Sequence, residues 1–527
     1  MLTGGAELRP MSGTLGVREL QTINLENIVR ATLFQRSVFA AFLFVPYIGA
    51  AFFAQPAAAQ NEADSAKKQA AALLEHAKEV MRFARADQSV IHLHSLAAAT
   101  QDYQSDRMYP PFFDAMQVQE EWFDPQTGVD RLSVQTTFPG GTGPAQITLD
   151  DATHAFRAAG EKLTPLPAAS LQTRYLNPWA VIHDWAADRD ARVVGHETYR
   201  DYDRVVLARA TPRGEHRLFI DAKSGFPVKL EMQEQHYLWG QRHIEYVYST
   251  WILGRGVMVP GASFRLADGR VDISQTVGDV EMIARAAAPP IALPEGQPPA
   301  ADTLPLFLQP LDLKTEQVGP KTYLLSNPGY REAVTEIGVE VFLFDGTQGE
   351  ERAKKDLEAI NKLFPEHKKL TVVVTDLAWP HVAGIRYWVA NGATIIAHKA
   401  ARDFLQSVVD RRWTMAPDLL EQRRGTVKMK FIGVDAAFPL AGGAIGLYPI
   451  DGIGSEVALM AYLTADHFLW ASDYIQTVAE PSSYLSEVWR GVQREGLHPE
   501  RTAAEHLPLT PWTKIEELHT KDESPLH

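Results

Sequence analysis

The stretch Thr375-Asp376-Leu377-Ala378-Trp379-Pro380-His381-Val382-Ala383-Gly384 decides the fold. The residues before it, 371–375, are β-branched and apolar, which is the composition of a buried strand. After it, Ile385-Arg386-Tyr387-Trp388-Val389 reads as a helix that closes at Asn391-Gly392 with a left-handed cap. Ala393-Thr394-Ile395-Ile396-Ala397-His398 then gives the next strand. The order strand, loop, helix, strand places the loop at the end of a buried strand.

This order resembles the metallo-β-lactamase superfamily, in which the loop reads Thr-His-x-His-x-Asp-His-x-x-Gly. Here Asp376, Ala378 and Pro380 stand where that motif has its first His, second His and Asp, and His381 keeps the last His. The resemblance extends over residues 314–518. Val341-Phe342-Leu343-Phe344-Asp345-Gly346 is similar to the family's early strand ending in an acidic turn. Phe468-Leu469-Trp470-Ala471-Ser472-Asp473 resembles the strand ending in the Asp that two metals share. Ala504-Glu505-His506, followed by Pro511-Trp512, is similar to the segment of the last His ligand. The family's middle His falls nearest Gly454, and no His stands there.

The resemblance implies an α+β protein with an αββα sandwich. A binuclear centre needs about three protein ligands per metal besides a shared carboxylate. The first-metal position keeps only Asp376 and the shared Asp473, so an ordinary binuclear centre is not expected. The second position keeps His381, Asp473 and His506, a set suited to one Zn or Fe ion. On that reading a metal-bound water is the nucleophile, Asp376 is a candidate general base, and the bond cut is of ester, thioester or lactam type. The rival expectation is a non-catalytic envelope protein that binds a small molecule or a protein partner. Its His381 and His506 are then polar residues satisfied by hydrogen bonds, and Pro380 stiffens the loop where a ligand would turn inward.

The first half reads differently. Residues 64–86 carry Ala, Leu and Lys/Glu at helical spacing. Residues 116–123 and 129–138 flank Asp124-Pro125-Gln126-Thr127-Gly128, a hairpin signal. Strand-like runs follow at 191–195, 204–210, 215–221, 227–233, 242–250 and 271–280. One helix and many antiparallel strands predict a curved sheet or half-barrel. Two segments, 218–228 and 256–260, are similar to the lipoprotein-carrier-like half-barrels of bacterial envelopes, although good turn chemistry alone accounts for them equally. Pro289-Pro290, Pro294, Pro298-Pro299 and Pro305 mark an extended linker. The expected organisation is a signal peptide at 1–59, a β-rich half-barrel-like domain at 60–285, an Ala/Pro-rich linker at 286–312 and a metallo-β-lactamase-like domain at 313–527.

Composition bounds the rest. A chain of 527 residues with a formal net charge of −14 lacks the Lys/Arg excess that nucleic acid or an anionic membrane surface requires. The chain has 0 cysteines, so any metal must rest on His and carboxylate. Arg30 and Arg36 precede an apolar run at 38–54 and then Ala57-Ala58-Ala59-Gln60, a signal-peptidase site after Ala59. The expected location is periplasmic or secreted, with no stable membrane insertion after cleavage. His92 and His94 alternate on one strand face at a metal-compatible spacing, for which a solvated face is the commoner explanation.

Overall fold

The computed structural model describes residues 57–100, 113–138, 141–301, 307, 309, 312–450, 457–481 and 484–522. The expected leader and the Gly454 position lie outside them, apart from the first residues of the helix Ala57–Met81. The fold is mixed α+β and mostly strands. Among the described residues no helix is long and apolar enough to cross a membrane.

The first half is one antiparallel sheet of 14 strands among the described residues. Ser89–Thr100 lies in its middle, between Phe113–Phe123 and Arg270–Ala284. The sheet is open, ending at Lys162–Pro165 on one side and Arg192–Tyr199 on the other. Alternate residues of each strand point to one face. That face packs Leu207, Leu218, Leu230 and Tyr246 against Ala70, Leu74, Ala77 and Met81 of the opening helix. A second helix, Pro178–Ala187, adds Trp179 and Trp185 to the same core. It begins where Asn177 accepts from Trp179 N at 2.9 Å and Pro178 takes the first helical position. Each large side chain so enclosed contributes about 1.5–3 kcal/mol.

The second half has two sheets. The first runs antiparallel from Lys314–Gly319 to Glu340–Phe344, then parallel through Lys369–Val373, Thr394–His398 and Lys430–Val434. The second runs from Phe438–Leu440 to Thr510–Pro511. Strand alternation builds the layers. Phe342, Phe344, Val373 and Ile396 face Leu459, Ala461, Phe468 and Trp470 across the gap between the sheets. Val341, Leu343, Val372 and Ile395 face the other way, onto Ala353, Ile360, Trp388 and Leu405 of the helices. On the far side, Met460, Tyr462 and Leu469 pack on Leu485, Val488 and Ile515 of the two last helices. The helix after the loop, Ile385–Ala390, ends at Gly392 with φ 77°, the left-handed cap that the sequence predicts.

The two halves share a core. Tyr237 and Leu238, in a turn of the long sheet, are buried among Trp379, Phe404 and Leu405. Arg411 donates to Trp239 O at 2.6 Å, to Gln241 O at 2.7 Å and to Asp268 at 2.6 Å, while Gln241 N donates to Arg412 O at 2.9 Å. The Ala/Pro-rich segment lies along the long sheet, with Ala300 N donating to Thr153 O at 2.8 Å. Ala57–His527 forms one compact unit.

Candidate functional site

The parallel pairing of Glu340–Phe344 with Lys369–Val373 sets the two following loops side by side at the carboxyl ends of their strands, where α/β sheets place ligand sites. Asp345 takes φ 71° there and is fully buried. It accepts from Thr375 N and Thr375 Oγ1, both at 2.6 Å, and from Trp470 Nε1 at 2.8 Å. Burial, reinforced by the nearby Asp376 charge, pushes the Asp345 carboxyl up to about 7. Thr375 Oγ1 lies 2.9 Å from Ser472 Oγ, which donates to Asp376 at 3.0 Å. The loop is thereby tied to the end of the strand Phe468–Trp470.

His381 sits on the short helix Trp379–Val382 and is 2% exposed. Its Nδ1 lies 3.0 and 3.1 Å from the two Asp376 oxygens and is paired also with Glu505 Oε2. Burial alone would push this imidazole down, but the carboxylates of Asp376, Glu505 and Asp473 outweigh it and hold the ring well above the usual histidine range. Glu505 is fully enclosed, and its Oε1 has no hydrogen-bond partner among the described residues. Burial, with Asp376 and Asp345 close by, keeps its carboxyl well above the ordinary range. Asp376 is lowered despite burial, because His381, Ala378 N and Ser472 all favour its ionised form.

With Nδ1 so engaged, Nε2 is the His381 nitrogen left for a ligand role, which it takes up only when a metal displaces the proton that the raised basicity keeps there. His381, Asp473 and His506 each offer one ligand atom, all within 4.8 Å of one another. The structure thus brings together the three side chains picked out as metal ligands. His506 Nδ1 lies 2.7 Å from Gly329 O. A carbonyl only accepts, so Nδ1 carries the proton and Nε2 keeps a lone pair. That Nε2 lies 3.4 Å from Asp473 Oδ1. Burial and the neighbouring His381 push His506 down to about 4, so near neutrality two electron-pair donors face one another.

Asp376, the candidate general base, lies on the Nδ1 side of His381 and is 2% exposed. Sequence reasoning passed over Glu505, Ser472, Gln476, which donates to both Asp473 oxygens at 3.3 Å, and Tyr330, whose ring lies 5.0 Å from His506 and 5.9 Å from His381. It also passed over the bulky turn Tyr237-Leu238-Trp239, an apolar run between polar strands. That turn covers Trp379, whose ring meets Trp239 edge-on at 5.5 Å. His92 and His94 are not among the groups able to hold a metal within the described residues. His92 stacks on Trp122 at 4.8 Å.

No protein-family profile matches the chain, and no curated protein matches it. Solved structures similar to it are metallo-β-lactamases. The DIM-1 metallo-β-lactamase is 12% identical, covering 40% of this chain and 99% of that one, with a TM-score of 0.32. TMB-1 is 14% identical over 40% of this chain and 99% of that one, with a TM-score of 0.31. A metallo-β-lactamase from Pontibacter korlensis is 14% identical over 40% of this chain and 100% of that one, with a TM-score of 0.31.

Proposed function

We propose that residues 313–527 are a metallo-β-lactamase-like domain with a reduced ligand set, which holds one Zn or Fe ion through His381, Asp473 and His506 and hydrolyses an ester, thioester or lactam-type bond. One observation carries the reading: His506 Nε2 and Asp473 Oδ1 face each other as acceptors at 3.4 Å, beside a histidine whose other nitrogen is clamped by carboxylates. Two imidazoles and a carboxylate fit such an ion, and both imidazoles have Nδ1 anchored, as metal-binding histidines require. When bound, the ion supplies a Lewis acid and brings the pKa of water toward neutrality.

The chain's own residues do the rest. Asp376 and Glu505 fix the His381 ring and its Nδ1 proton. Gly329 O does the same for His506, and Gln476 orients the Asp473 carboxylate. Asp376 in this reading acts through His381, as a positioning residue. Tyr330 supplies an aromatic wall against which an acyl group can rest. Export through the leader at 1–59 belongs to the same proposal.

The test is elemental analysis of the full chain purified without chelator and dialysed against Zn²⁺ or Fe²⁺, followed by turnover of 4-nitrophenyl acetate and a chromogenic lactam. About one ion per chain, lost in His506→Ala together with turnover, is the result expected. Absence of bound metal under both conditions overturns the reading. The near-complete burial of His381 favours the second reading, a non-catalytic binding protein. Metal retained at full occupancy with no turnover of either substrate would select it.

A further inference from the structure

The inner face of the long sheet extends beyond its helices. Leu207, Leu218 and Leu230 are covered by them, whereas Arg209, His216 and Met232, two residues along on the same three strands, line a cavity of about 330 Å³. Arg209 and His216 are direct partners in the strand register. Leu171 and Tyr175 of the 3-10 helix Ala168–Leu176 form the opposite wall, and Ala300 of the Ala/Pro-rich segment closes one side. The volume is that of a small-molecule site.

Arg209 is the feature that asks for a ligand. Its side chain is 11% exposed, yet it makes no hydrogen bond to any described residue, and its Nε is enclosed without a partner. The guanidinium lies over the Trp185 ring at 4.7 Å. Asp188 stays 3.9 Å away, too far for a hydrogen bond, and Asp184 acts on the guanidinium only through its charge. A buried guanidinium with five N–H donors is normally satisfied. Arg213 lines the same cavity and brings a second guanidinium to it. His216 adds no charge, since burial and the two arginines push it down to about 3.

We propose that this cavity binds a small organic anion, with its acidic group on Arg209 and Arg213 and its apolar body against Leu171, Tyr175 and Met232. The site is separate from the His381 cluster and does not depend on the hydrolase reading. Planar guanidinium groups are the donors that suit carboxylate, sulfonate or phosphate.

The full chain is to be titrated with 8-anilinonaphthalene-1-sulfonate by fluorescence. N-phenyl-1-naphthylamine, with the same rings and no acid, is the control. One saturable sulfonate site per chain is expected, weakened by about tenfold or more in Arg213→Gln, as loss of a charge-assisted hydrogen bond implies. Binding of the neutral control stays as in the native chain. Gln172→Trp, which fills the cavity, abolishes binding of both probes. Arg209→Gln weakens the sulfonate further, and if losing the stack on Trp185 unfolds that variant, the other two decide. No saturable site, or a sulfonate affinity unaltered in both Arg213→Gln and Gln172→Trp, overturns the proposal.

Discussion

Glu505 turns its carboxylate onto the same imidazole nitrogen, Nδ1 of His381, that Asp376 already holds. Two acids on one ring nitrogen raise its basicity and lock its orientation, and carboxylates behind a ligand histidine typically tune metal affinity by about 10–100-fold. Glu505→Gln is therefore expected to weaken zinc binding by roughly that factor while leaving the saturating stoichiometry unchanged. Competition against a chromophoric chelator measures it. An unaltered dissociation constant would mean that Glu505 only fills space.

A second buried network supports the long sheet. Arg174, 1% exposed, donates to Asp150 at 2.7 Å, to Asp184 at 2.8 and 3.0 Å and to Gly128 O at 3.1 Å. Removing a charge from such a cluster leaves its partners uncompensated, at about 3–5 kcal/mol. Arg174→Met is expected to lower the urea-unfolding free energy by that amount, and a loss of less than about 1 kcal/mol would mean that the acids around it do not depend on its charge.

The same acids predict how stability follows pH. Burial, only partly relieved by Arg174, pushes Asp150 up to about 7, burial raises Asp130 well above its ordinary range, and burial with Asp376 takes Asp345 to about 7. Unfolded, these groups ionise near about 4. Between the two values the folded chain binds more protons than the unfolded one, so stability falls as pH rises through that window. Asp184, held below its ordinary value, acts only at lower pH, while His216 and His506, pushed down to about 3 and about 4, oppose the trend below about pH 6.5 but are outnumbered by the acids. Urea midpoints should be higher at pH 5 than at pH 7.5, and Asp150→Asn should flatten the difference. A midpoint that rises with pH would reverse the assignment.

Gly384 closes the loop that carries His381. A Cβ placed there would meet Gly346 O at 2.8 Å, the oxygen that already accepts from Gly384 N at 2.7 Å. Backbone must move to admit it, which costs about 1–3 kcal/mol. Because Gly346 N donates to His381 O at 3.1 Å, Gly384→Ala is also expected to reduce metal loading. Thermal unfolding alongside elemental analysis separates the two effects, and a variant as stable as the parent would refute the steric argument.

Much of the second half was legible because its strands are β-branched and its helix ends on glycine: the strands Lys369–Val373 and Thr394–His398 and the helix Ile385–Ala390 lie within two residues of where their composition puts them. The convergence of His381, Asp473 and His506 was readable from the order of motifs. Glu505 was not, since nothing in a sequence distinguishes an enclosed carboxylate from a solvated one, even next to a suspected ligand. The helix Pro178–Ala187 escaped for another reason. Apolar on nearly all sides, it shows no amphipathic period, although Asn177-Pro178 is a capping signal. The turn at 237–239 hid the join between the halves, because an apolar turn gains meaning only from what it meets.

That turn has a practical consequence. With Tyr237 and Leu238 seated among Trp379, Phe404 and Leu405, proteolytic nicking of the chain between residues 288 and 301 would yield fragments that still co-purify. Either fragment produced from its own gene would carry a raw, greasy scar and precipitate.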